Sequence, residues 1–203
     1  MKAVLISIQP KYVELIARGK KTVEVRKTRP KIETPFKCYI YCTKEKRKDD
    51  FITISGAFGL IRCPECSIYH RAKEYDCNGK VIGEFTCDKI DSYIFERNNR
   101  FWWGLGYKAW QNLKDKSCLT IEQIIDYTGD SNTLYGWHIS DLKIYDEPRE
   151  LGEFKKENKC YKKGDLDNIG CWERGCPIQE QGWCDGRFSK ITRPPQSLCY
   201  VEV

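Results

Sequence analysis

Ala17-Arg18-Gly19-Lys20-Lys21-Thr22-Val23-Glu24-Val25-Arg26-Lys27 changes its period halfway along. Before Gly19, residues 11–18 set Tyr12, Val13, Leu15 and Ile16 on one side of a helix. Gly19 suits the left-handed cap that ends such a helix, because it has no Cβ to clash. After it the period is two. Val23 and Val25 point one way, and Thr22, Glu24 and Arg26 point the other. A strand face that carries a hydroxyl, a carboxylate and a guanidinium has two explanations. Either that face lies in water, or its polar groups are set against a ligand.

The neighbouring segments supply the rest of a sheet. Upstream, residues 3–8 are almost wholly apolar, which predicts a strand buried on both faces, and Pro10 suits the first turn of a helix. Downstream, 36–43 is a strand, and 51–63 and 80–94 read as two more. Asn78-Gly79 marks a turn before the second of these. On it Ile82, Glu84, Thr86 and Asp88 share one side, so Glu84 is a further carboxylate arriving on a strand. Residues 98–114 read as an aromatic loop leading into a short helix. Thr120 with Gln123 is a capping-box pattern for a helix over 120–127, closed by Gly129. Residues 135–145 form a strand running into a bend, 148–156 a short helical or irregular exit, and 198–203 a last strand behind the rigid Pro194-Pro195. About six strands and two or three short helices, without regular βαβ alternation, predict an α+β fold. The expected form is a small mixed, mostly antiparallel sheet curled into a barrel, with helices over its ends.

The 203 residues suit a single domain spanning 1–203. A 40% hydrophobic share sets the chain apart from disordered sequences. No apolar run approaches the ~18 residues of a membrane span. The first ten residues lack a long apolar core and a small-residue cleavage site, so the protein is expected in the cytoplasm with no membrane partner. The net charge of +6 permits a polyanionic partner without requiring one.

Within the chain, 157–190 changes character: aliphatics thin out while Cys, Gly, Trp and charge rise. Twelve cysteines in a reducing compartment do not make a disulfide framework, which leaves buried thiols and a metal site. Cys160, Cys171, Cys176 and Cys184 crowd this insert, and a structural zinc on four thiolates would hold so apolar-poor a segment folded. Cys63-Pro64-Glu65-Cys66 has knuckle spacing, with Cys77 and Cys87, or two insert cysteines, as its other half. Cys38, Cys42, Cys118 and Cys199 read as packed thiols, and His138 as a hydrogen-bonding strand residue.

The stretch 17–27, following a first strand and Pro10, resembles the ASCH domain. So do 81–88, Gly136-Trp137-His138-Ile139-Ser140-Asp141-Leu142 and 193–201. That family belongs to the PUA-like superfamily of small β-barrels, and the chain is most similar to uncharacterised bacterial and phage members. The resemblance implies RNA binding or an RNA-related role. One branch removes acetyl from N4-acetylcytidine, and another member type is linked with ribonuclease activity. Carried onto this chain, the amidohydrolase lysine is Lys21 and the strand glutamate is Glu84. The threonine position holds Glu24, and a carboxylate does not replace a hydroxyl nucleophile. Lys21, Glu24, Arg26 and Glu84 are expected in one cleft, with Thr22 on the same strand face. There Arg26 would fork onto a phosphate or a carboxylate. Lys21 would be either a general base or a member of an ion-pair network. Trp102 and Trp103 are candidate stacking residues for bases, and Trp137 is either that or a core aromatic. Three functions follow. The first is binding of RNA or a modified nucleoside. The second is hydrolysis, as an N4-acetylcytidine-type amidohydrolase or a ribonuclease using Lys21 and Glu84. The third is a phage or mobile-element interaction role through the cysteine-rich insert.

Overall fold

The apolar run near the start becomes β1 (Lys2–Ile8), and its place in the sheet explains its composition. In this computed structural model, which describes residues 2–44, 60–62, 69–71, 77–94, 107–157 and 188–202, β1 has neighbours on both edges and covers on both faces. It pairs in parallel with β3 (Phe36–Cys42) and antiparallel with β12 (Leu198–Glu202), so Val4 lies between Cys38 and Tyr200. Helix α1 (Pro10–Ala17) follows β1, and Gly19 ends it at φ 68°. Then comes β2 (Val23–Arg26).

The remaining strands are β4 (Leu60–Arg62), β5 (Tyr69–Arg71), β6 (Val81–Cys87), β7 (Ile90–Ile94), β8 (Thr133–His138), β9 (Ser140–Arg149), β10 (Lys155–Glu157) and β11 (Phe188–Lys190). They assemble as a seven-stranded sheet in the order β11-β10-β12-β1-β3-β6-β9, a three-stranded sheet β2-β8-β7, and the pair β4-β5. The α+β class and the mostly antiparallel pairing are as expected from the sequence. The expected barrel is not: among the described residues the strands divide between separate sheets and do not close. The cysteine-rich insert falls almost wholly outside the described residues.

The division has a local cause. The expected single strand 80–94 is two strands, broken at Asp88 and Lys89, and the expected strand 135–145 is broken at Ile139. Each break carries the chain from one sheet to the other. The breaks are tied together, because the His138 N–H donates to the Lys89 carbonyl at 2.9 Å. The short helical or irregular exit expected over 148–156 holds one turn of 3-10 helix (Leu151–Glu153), set between the end of β9 and β10.

Apolar burial fixes the layers. One face of the large sheet packs Val4, Ile6, Cys38, Ile40 and Phe85 against Val13 and Ile16 of α1 and Trp137 of β8. The opposite face packs Leu5, Tyr39 and Tyr41 against Leu151, Phe154 and Ile191. The pairing of β6 is irregular around Val81–Gly83, and across this irregularity Ile82 and Phe85, three residues apart, pack on the same face while Val81 packs on the other. Gly83 is required there, because a Cβ would stand 2.4 Å from the Lys143 carbonyl oxygen of β9. A third cluster sets Val23, Val25, Tyr93 and Leu134 of the small sheet under Leu113 of α2 (Tyr107–Ser117) and Ile124 of α3 (Ile121–Thr128). Helix α3 starts as its sequence predicts: the Gln123 N–H donates to Thr120 Oγ1 at 3.2 Å, and the Thr120 N–H to Gln123 Oε1 at 3.0 Å. No helix among the described residues is long and apolar enough to cross a membrane.

Candidate functional site

Strand β2 is an edge strand of the small sheet, and both its faces are covered. Its valines meet α2 and α3, so its polar face turns inward, toward the gap between the two sheets. In register, Glu24 lies beside Trp137 and Arg26 beside Tyr135. The plain alternative, a strand with one side in water, is therefore excluded.

Lys21, Glu24 and Arg26 meet in this gap at 2%, 7% and 6% exposure, too dry for charges unless they are paired. Lys21 Nζ stands 3.2 Å from Glu24 Oε2 and donates to the Ser117 carbonyl at 2.8 Å. That carbonyl is available because Ser117 ends α2 and Cys118 turns left-handed at φ 54°. The Thr22 N–H takes the adjacent Lys116 carbonyl at 2.9 Å. Residues 21 and 22 thus cap α2 from outside, with a cation at the negative end of its dipole. The Thr22 side chain itself is exposed.

Arg26 is held as firmly. Its guanidinium donates to the Ser7 carbonyl at 2.7 Å and reaches the Ser197 carbonyl at 3.5 Å. Its Nε lies 3.0 Å from Glu24 Oε1 but outside hydrogen-bond geometry, so that contact is one of charges and the buried N–H has no acceptor. The fork expected for a phosphate is engaged with the ends of β1 and β12.

Above this floor opens a cleft of about 940 Å³. Tyr12 of α1 and Tyr127 of α3 both line it. The Tyr12 ring carries Lys11 and Lys21 ammonium groups at 4.7 and 5.3 Å, and Lys27 sits 5.3 Å from the Tyr127 ring. Burial pushes the Tyr127 hydroxyl above its ordinary pKa. Gln9, Gln123 and Gln196 bring amides, which can both donate and accept. Lys11, Lys21, Arg26 and Lys44 outnumber the two lining carboxylates, Glu24 and Asp126.

Glu84 is not brought to this group. It faces the other side of the large sheet, opposite Tyr39, where it accepts from Lys37 Nζ at 2.9 Å and the Tyr145 hydroxyl at 2.7 Å. Burial raises its pKa, but the two hydrogen bonds outweigh burial and leave the carboxyl below its usual range. Trp137 is fully buried, edge-on to Phe36 at 5.7 Å, and is a core aromatic. Trp102 and Trp103 lie outside the described residues, as do Cys160, Cys171, Cys176 and Cys184 and the pair Cys63 and Cys66. Cys77 and Cys87 are buried in the core, and burial pushes the Cys87 thiol up to about 12. Among the described residues no group of three or more His, Cys, Asp or Glu side chains is placed to hold a metal.

The sequence reading puts Tyr12 on the apolar side of its helix, gives Gln123 only a capping role, and gives none to Tyr127, Gln196 or Ser197. The capping box, which fixes the phase of α3, was the available signal for Gln123 and Tyr127. Gln196 and Ser197 carried no signal beyond the prolines before them.

The geometry defines a mixed α+β protein with a polar cleft between two sheets, floored by a buried ion network. Comparison with known proteins places it further. The profile of the ASCH domain matches residues 6–163, and the chain belongs to this family. Strand β12, beyond the matched span, is nonetheless paired with β1 in the middle of the sheet. The fold is similar to the crystal structure of ASCH from Zymomonas mobilis, at 17% identity and TM-score 0.51, covering 98% of this chain and 87% of that one. It is also similar to a tyrosine-to-phenylalanine variant of the Zymomonas mobilis protein, at 17% identity and TM-score 0.52, covering 100% and 91%. A serine-to-alanine variant matches at 16% identity and TM-score 0.52, covering 98% and 88%. No curated protein matches the chain.

Proposed function

We propose that this protein binds single-stranded RNA, or a modified nucleoside of RNA, in the cleft between the sheets, and does so without hydrolysing it. The observation that carries this is the pairing of two tyrosine rings with amide side chains and an excess of cations in one cleft. Aromatic faces stack on bases, amides read base edges, and lysines meet phosphate. Lys21, Glu24 and Arg26 form the floor rather than the reacting groups.

The arrangement supports binding over hydrolysis for two reasons. A hydrolytic centre on the amidohydrolase pattern would need Lys21 and Glu84 over one substrate, and Glu84 is engaged on the opposite face of the sheet. It would also need a hydroxyl beside Lys21, whose partners are a carbonyl and a carboxylate.

Fluorescence anisotropy with a short labelled single-stranded RNA tests this reading. The expected result is binding that weakens steeply between about 50 and about 200 mM salt, and that falls about tenfold or more in Tyr12→Ala and Tyr127→Ala. Absence of binding in low salt, or turnover of N4-acetylcytidine or RNA by the purified protein, overturns it. From sequence alone, we also propose that Cys160, Cys171, Cys176 and Cys184 hold one structural zinc. Elemental analysis of the purified protein, with and without Cys171→Ser, tests that.

A further inference from the structure

The binding cleft has a neighbour. A second depression of about 740 Å³ lies beyond it, and the two share Thr43 and Lys44 as a common saddle. The segment after β11 borders both: Ile191, Thr192 and Pro194 line the second depression, and Gln196 and Ser197 line the cleft. This wall is stiff. Pro194 and Pro195 restrict its backbone, the Ser7 hydroxyl donates to the Pro195 carbonyl at 2.6 Å, and the Ser7 N–H donates to the Ser197 carbonyl at 3.1 Å. The two depressions are therefore parts of one groove with a preformed edge.

Its charge follows the same path. Lys11 stands on the cleft, Lys44 on the saddle and Lys190 in the second depression. The carboxylate lining the second depression, Glu150, stands 3.3 Å from Lys80 Nζ. Lys190 is also directly opposite Lys155 in the β10–β11 pair.

We propose that the groove takes more than one nucleotide. A single-stranded polynucleotide places one base in the cleft, crosses Lys44, and lays its continuing backbone in the second depression against Lys190. This rests on the cleft being a nucleotide site. It adds a second subsite, specific for phosphodiester backbone, and so a preference for polymer over free nucleoside or mononucleotide.

The test measures affinity for a nucleoside monophosphate and for oligonucleotides of two, four and eight residues of the same sequence. The native protein is expected to gain about tenfold or more in affinity between the monophosphate and the tetranucleotide. Lys190→Glu is expected to remove most of that gain, to lower the salt dependence by about one phosphate contact, and to leave monophosphate affinity unchanged. Thr192→Lys, on the exposed rim, is expected to raise tetranucleotide affinity without changing the monophosphate. Monophosphate binding with no dependence on length overturns the second subsite while leaving the cleft intact. Equal weakening of every ligand by Lys190→Glu also overturns it. Failure of all ligands to bind overturns the cleft and the groove together.

Discussion

Glu24 and Glu84 both sit on strands, each between a lysine and a second polar partner, and they do different work. Glu24 is inside the gap between the sheets, with Lys21 at 3.2 Å and Arg26 at 3.0 Å, and all three groups are buried. Glu84 is on an outer face, with Lys37 at 2.9 Å and the Tyr145 hydroxyl at 2.7 Å, and its lysine is 45% exposed. The distances are similar, so the difference is dielectric. Water competes for the outer pair and weakens it, whereas the inner carboxylate is the counter-charge that two desolvated cations share.

The contrast can be broken most strongly at Glu24. Glu24→Gln leaves Lys21 and Arg26 buried without their counter-ion and is expected to lower stability by about 3–5 kcal/mol in urea unfolding. Replacing Lys21, Glu24 and Arg26 together by Met, Leu and Met is expected to restore most of that loss, because no charge is then stranded. A single variant that unfolds with the native midpoint would put Glu24 in the same class as Glu84. Next in size is Thr120→Ala, which removes the cap of the helix carrying Gln123 and Tyr127. It is expected to reduce stability by about 1 kcal/mol, with faster amide exchange in the first turn of α3 as the local readout.

Glu84→Gln is expected to change stability by less than about 1 kcal/mol, since its lysine is exposed and the glutamine amide can still accept from the Tyr145 hydroxyl. The smallest effect is in its pH dependence. The folded carboxyl is held below its ordinary value of 4.5, so its contribution is present above that pH and is lost as pH falls through the folded value. The difference in unfolding midpoint between native protein and Glu84→Gln should therefore be constant near neutrality and shrink as the pH drops below 4.5. A difference that grows in acid would show that the carboxyl is not stabilised in its charged form.

Much of the fold was legible where local signals agree. Gly19, the alternation after it, the apolar run of β1 and the Thr120–Gln123 capping box each specify a conformation within a few residues. Sheet membership was not legible. In 80–94 the apolar phase shifts at Asp88-Lys89, from Phe85 and Cys87 to Ile90, but a local shift does not say that the chain crosses to another sheet, because the strand that pairs beyond it lies far along the chain. The same limit applied to the site. The polar face of β2 was visible as an anomaly, but the direction it faces depends on α2 and α3 covering the valines. Glu84 shared the composition expected of a partner, yet its facing is set by pairing with Tyr39, which sequence spacing does not encode.

The position of β1 has a consequence for synthesis. On the ribosome its parallel partner β3 follows early, but its other edge stays open until 198–202 have left the exit tunnel. Until then a strand with no exposed residue between Ala3 and Ile8 offers unpaired backbone to any passing chain. The Ser197 carbonyl that helps anchor Arg26 arrives in the same late segment. The nascent protein therefore covers this edge and completes the anchoring of its cleft floor in the same step, and a chain stalled short of residue 198 is prone to aggregate.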